Sequence, residues 1–302
     1  MRRTCLMLLL FPFALSAQLN PDYDPDFDLN GCYTMMDLLS ILVTLMPDVD
    51  GNDSPNPNYD PDFDGDGEMT IYDMTSYLTW FGTCEGLPCE SPTMDGYSYV
   101  VVEIGLQCWF AENLRTSVYA DGSDIPEVIS NEDWSGLMTG GQCTYQHDSD
   151  LLDQYGRLYN WYAVDDARGL CPAGWHVPDD DEWKLLENVL GMPWGQLDEF
   201  GNFRGAIQEI GTKLKSTYGW SSDGNGTDLF GFSGLPAGVR GGEGEGSGQF
   251  TGLEDVTFWW TSSPTAPEGN AFDRILAAFS AGVNRNSNHH RFGFSVRCLR
   301  DD

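Results

Sequence analysis

The sequence predicts an α+β protein in two parts: a small all-α module built around two acidic loops, then an irregular, loop-rich α+β domain. Three observations predict it. The phrase "YDPDFDLNGCYTMMD" from Tyr23 returns as "YDPDFDGDGEMTIYD" from Tyr59, and each copy runs into an apolar stretch with helical spacing. From Tyr97 the chain changes to short strand-like phrases, and only "VPDDDEWKLLENVLG" reads as a clear helix, with Asp179 as cap, Glu182 three residues later and Gly191 as stop. The 35 glycines and 10 tryptophans point to long loops held by aromatic packing in that second part.

The opening residues come first in chain order. Arg2 and Arg3 precede the apolar run Cys5 to Leu15, and Ser16-Ala17 supplies a small-residue cleavage point, so residues 1–17 read as a signal peptide. A secreted or cell-surface protein follows from this expectation, and no later apolar run approaches the length of a membrane span. Seven cysteines remain after such cleavage, which makes disulfides plausible and leaves at least one thiol unpaired within a monomer. No Cys-x2-Cys pair exists and only four histidines are present, so a zinc site is not expected.

Charge narrows the partners. With 47 acidic against 15 basic residues the net charge is −32, which repels phosphate backbones and anionic lipid and excludes nucleic acid as an expected ligand. An acidic excess of this size suits a heavily solvated surface or cation binding.

The repeated phrase can be set in register against a calcium loop, which takes oxygen ligands at positions 1, 3, 5, 7, 9 and 12 and glycine at 6. Starting at Asp26 the ligands are Asp26, Asp28, Asn30, the Cys32 carbonyl, Thr34 and Asp37, with Gly31 sixth. Starting at Asp62 they are Asp62, Asp64, Asp66, the Glu68 carbonyl, Thr70 and Asp73, with Gly67 sixth. Two Ca2+ sites are therefore expected, because hard oxygens crowded around a void repel one another without an ion.

Pro21, Pro25, Pro57 and Pro61 block a helix before either loop, which departs from a full EF-hand. Two loop-helix units with Asp at position 12 resemble the type I dockerin family over residues 18–84. That resemblance implies contact with a cohesin-like or cell-envelope protein through Met35, Met36, Ile71 and Tyr72. A Cys32–Cys84 bridge or a local Cys84–Cys89 bridge would each staple this small module.

Residues 85–94 read as a linker and 95–302 as the second domain. There "DGYSYVVVEIGLQCWFAENLRT", "YGRLYNWYA", "CPAGWHVPDDDEWKLLENVLG", "GTKLKSTYGW", "GFSGLPAGVR", "FWWTSS" and "FGFSVRCLRD" follow in order. These phrases resemble the Fibrobacter succinogenes major paralogous domain family, which looks like a branch of the formylglycine-generating-enzyme and C-type-lectin-like folds. The resemblance implies a secreted C-type-lectin-like α+β domain without an established enzymatic activity. It also implies a Cys171–Cys298 disulfide, worth on the order of 4 kcal/mol by loop closure; Cys108–Cys143 is a second candidate pair.

The sequence offers little catalytic chemistry. The cysteine pair that serves formylglycine-generating enzymes is missing between Cys171 and Cys298, and no Gly-x-Ser-x-Gly elbow, phosphate loop or His-Glu-x-x-His motif is present. His176, in "GWH", reads as a packed structural histidine. In lectin-like folds the late loops form the ligand face, and here "FWWTSSPTAPEGNAFD" and "SAGVNRNSNHHRFG" offer Trp259, Trp260, Asn284, Arg285, Asn286, Asn288, His289 and His290 for a glycan or protein ligand without calcium. A non-enzymatic binding protein is the leading expectation. A glycoside hydrolase with an unlocated carboxylate pair and a structural component of an extracellular assembly are the alternatives.

Overall fold

A computed structural model describes residues 89–301 apart from 243, 245–246 and 267–268. The chain divides between Gly86 and Leu87 into two units, and the description concerns the second. The acidic repeat, with its twelve expected calcium ligands and its contact residues Met35, Met36, Ile71 and Tyr72, lies outside the described residues.

The second unit is dominated by sheet. Its main sheet has six strands in the order β10 (Phe250–Leu253), β9 (Ala237–Arg240), β11 (Val256–Thr265), β12 (Asn270–Ala277), β13 (Val283–His289) and β8 (Phe203–Arg204). All neighbours are antiparallel except β9 and β11. A four-stranded sheet runs β3 (Val101–Ile104), β4 (Gln107–Phe110), β14 (Leu299–Arg300), β7 (Trp175–His176). Two short ribbons complete the set, β1 (Thr93–Met94) with β2 (Tyr97–Ser98) and β5 (Gln142–Cys143) with β6 (Leu158–Tyr159).

This corrects the expected α+β class. Four sheets carry the described unit, and its helices are short apart from the ten-residue helix Asp180–Val189. No all-α calcium-loop module is seen among the described residues. The segments read as late ligand loops are instead the strands β11, β12 and β13. Their alternation escapes notice because both faces of the sheet are covered, so apolar residues stand at consecutive positions. Trp260 joins one apolar cluster with Phe294, Tyr159 and Phe110, while Trp259 joins another with Trp109, Trp183 and Leu276.

Local rules account for the elements that position the surface. The hairpin β3–β4 turns at Gly105, whose φ of +63° suits a two-residue hairpin turn, and a Cβ there would meet a Val189 methyl at 2.8 Å. Helix Asp180–Val189 has a complete capping box: the Asp179 carboxylate accepts from the Glu182 amide (2.8 Å) and the Glu182 carboxylate from the Asp179 amide (2.7 Å). Gly191, at φ +105°, ends the turn that follows.

The disulfides are Cys171–Cys298 and Cys89–Cys108. The first matches the family resemblance. The second replaces both the Cys108–Cys143 pair and the local Cys84–Cys89 alternative. Cys108 and Cys89 belong to one apolar cluster, whereas Cys143 is buried as a free thiol in another with Trp134, Tyr145 and Leu158.

Buried arginines take the place of extra helices in tying the loops together. Arg297, 0% exposed, donates to the carbonyls of Phe110 (2.7 Å), Phe232 (2.8 Å) and Ser233 (3.1 Å) and to Asn113 Oδ1 (2.9 Å). Arg240, also buried, donates to the carbonyls of Val128, Ile129, Ser130 and Gly248. Each guanidinium satisfies backbone acceptors that irregular segments would otherwise bury unpaired.

Candidate functional site

The end of the β12–β13 pair carries two adjoining clefts. One, of about 560 Å³, is lined by Asn270, Ser287, Asn288, His289, Phe292 and Gly244. The other, of about 330 Å³, is lined by Phe200, Phe272, Arg285, Pro264, Thr265 and Ala266. Ser287 borders both.

Register explains which side chains reach them. Phe272 pairs with Ser287 and Arg274 with Arg285, so these four share one face, and Asn284, Asn286 and Asn288 share the other with Ala271, Asp273 and Ile275. On the first face the charged heads meet the first turns of helix Asp180–Val189. Asp180 receives Arg274 Nη1 (2.8 Å), Arg285 Nε (2.8 Å) and Arg285 Nη2 (2.6 Å), and Lys184 approaches at 3.1 Å. Glu187 Oε1 receives Arg204 Nη2 and Arg274 Nε, both at 2.7 Å. Burial opposes ionisation of Asp180, yet the arginines outweigh it and hold the carboxyl well below the usual range.

On the second face Asp273 is 0% exposed; its Oδ2 accepts from Asn288 Nδ2 (2.8 Å), and its Oδ1 has no partner. Burial pushes this carboxyl up to about 7. Asp273 lines neither cleft.

The predicted ligand residues separate into three groups. Trp259 and Trp260 are both 0% exposed and are corrected to core residues; their indole N–H groups donate to Asn113 Oδ1 and to the Tyr159 carbonyl, each at 2.9 Å. Arg285, Asn288 and His289 line the clefts. Asn284 and Asn286 are half-buried on β13 and line neither, and His290 stacks on Trp161 with centroids 4.1 Å apart.

His176 is held at both nitrogens, Nδ1 by Asp301 (2.7 Å) and Nε2 by Glu182 (2.8 Å), which leaves it no lone pair for catalysis. Sequence reasoning missed Phe200, Phe272 and Thr265. The signal available was the exposed aromatic in "DEFGNF", too polar a setting for a core position. Among the described residues no group of three or more His, Cys, Asp or Glu side chains is arranged to hold a metal ion. No helix among them is long and apolar enough to cross a membrane.

Fold and surface together define a disulfide-bonded, sheet-dominated domain whose main sheet ends in two clefts lined by aromatic and polar side chains. The chain belongs to the Fibrobacter succinogenes major domain family, whose model matches residues 102–300. No curated protein and no solved structure matches it.

Proposed function

We propose that the protein is a secreted, non-enzymatic binding protein that holds a glycan or protein ligand at the β12–β13 clefts and is attached through a calcium-binding, dockerin-like repeat at residues 18–84. The observation that carries the reading is the composition of the clefts: aromatic rings beside amide, hydroxyl and guanidinium groups, a set suited to recognition. The chemistry nearby favours binding over turnover. Asp180 and Glu187 are engaged by buried arginines, and Asp273, whose pKa would suit a general acid, is sealed from both clefts.

The test is incubation of the full chain with a polysaccharide panel and with solubilised envelope proteins, following retention and reducing ends together. Retention without new reducing ends is expected. Release of reducing ends that one carboxylate substitution abolishes would establish a hydrolase instead, and failure of every polysaccharide and envelope protein to retain the chain would remove the binding function.

A further inference from the structure

The segment around Trp194–Arg204 carries exposed aromatic rings on a backbone anchored from beneath. Trp194 is 73% exposed and Phe200 50%, while Leu197 between them is buried. Arg204 Nη1 donates to the carbonyls of Gln196 (3.3 Å) and Leu197 (2.5 Å), and Arg285 Nη1 to that of Asp198 (3.2 Å). The Gly201 amide returns a bond to the Arg285 carbonyl (2.9 Å). Both guanidiniums are themselves fixed by Glu187 and Asp180. The ordering cost of this loop is thus met on folding, before any ligand arrives.

Phe200 meets Phe272 edge to face at 6.3 Å, and the Arg285 guanidinium lies 4.1 Å over the Phe272 ring. Arg285 has five N–H groups, of which three are directed to Asp180 and Asp198. The others are available to an oxygen in the cleft it lines.

Charge selects the ligand. Arg204, Arg274, Arg285 and Lys184 contact four carboxylates, the buried Asp180 and Glu187 and the exposed Asp181 and Asp198. That network carries no net charge, and the unit that holds it, residues 87–302, has 32 acidic against 13 basic side chains. A polyanion is repelled by the whole molecule, and a cation finds only donors at Arg285.

We propose that this cleft is a subsite for a neutral polysaccharide. A sugar ring packs its C–H face on Phe200 with its edge against Phe272, its hydroxyls accept from Arg285, and Trp194, exposed on the same anchored segment, is a second stacking ring. The proposal rests on the binding function above and gives its sugar class and residues.

The test is titration of the full chain with a soluble neutral β-glucan, a neutral mannan and polygalacturonate, read by affinity electrophoresis and tryptophan fluorescence. Trp194 is the only exposed tryptophan among the described residues, so a neutral polysaccharide is expected to shift an emission component that Trp194→Phe removes. Phe200→Ala and Trp194→Ala are expected to weaken binding about tenfold each with unchanged melting temperature. Undiminished affinity in both variants would overturn this subsite while leaving the binding function intact. Preference for polygalacturonate, or retention by envelope proteins with no neutral polysaccharide bound, would overturn the sugar class.

Discussion

At the scale of single residues, two titrations lower stability as pH rises, in successive windows. Asp273 has a folded pKa of about 7, raised by burial above its ordinary value. The folded state therefore holds more protons than the unfolded one between about pH 4 and 7, and stability falls as pH rises through that window. Asp273→Asn keeps an oxygen to accept from Asn288 and removes the buried charge. Its melting temperature should exceed that of the native chain at pH 8, and the gap should close towards pH 4. His176 acts with the same sign at higher pH, but as a cation gained and not a charge buried: the Glu182 hydrogen bond, helped by Asp301 against burial, raises it to about 9. Its contribution is complete below about pH 6.5 and is lost as pH rises through 9. Thermal melts of His176→Gln should lie furthest below the native protein near pH 6 and meet it above pH 9.

Among elements, helix Asp180–Val189 shows what sequence conveys and what it hides. Its capping box is legible because Asp179 and Glu182 are three residues apart, and Ala at Asp179 is expected to cost only about 1 kcal/mol. Asp180 reads as one more acid of the first turn, yet it is the hub of a buried ion network whose partners Arg274 and Arg285 lie 94 and 105 residues away. No local period carries that information. The same limit hid β11, β12 and β13: the lectin-like resemblance placed ligand loops there, while cross-strand pairing and cover on both faces made them the centre of the sheet. The Cys171–Cys298 pair was readable from the family phrases. Arg274→Met leaves Asp180 and Glu187 short of a buried cation and is expected to destabilise the unit by about 3–5 kcal/mol. Urea unfolding should show a lower midpoint with an unchanged slope.

For the molecule as a whole, the distribution of charge sets the last expectation. Residues 18–86 contain fifteen acidic side chains and no lysine or arginine, so their repulsion has no internal cation to offset it. The bases of the described unit are partly withdrawn from the surface, because Arg204, Arg240, Arg274 and Arg297 are buried in its core. The acidic repeat thus carries no counter-charge of its own, and the proposed loops at Asp26–Asp37 and Asp62–Asp73 concentrate its demand for cations at two points. Calorimetric titration of the full chain, after removal of bound ions, should reveal two calcium sites whose affinity declines with added salt. Asp37→Ala combined with Asp73→Ala should abolish both and leave cleft binding unchanged, since the cleft ligands proposed above include no metal. A native chain that takes up no calcium would refute the repeat as an ion-binding device, and its acids would then serve only to solvate the surface.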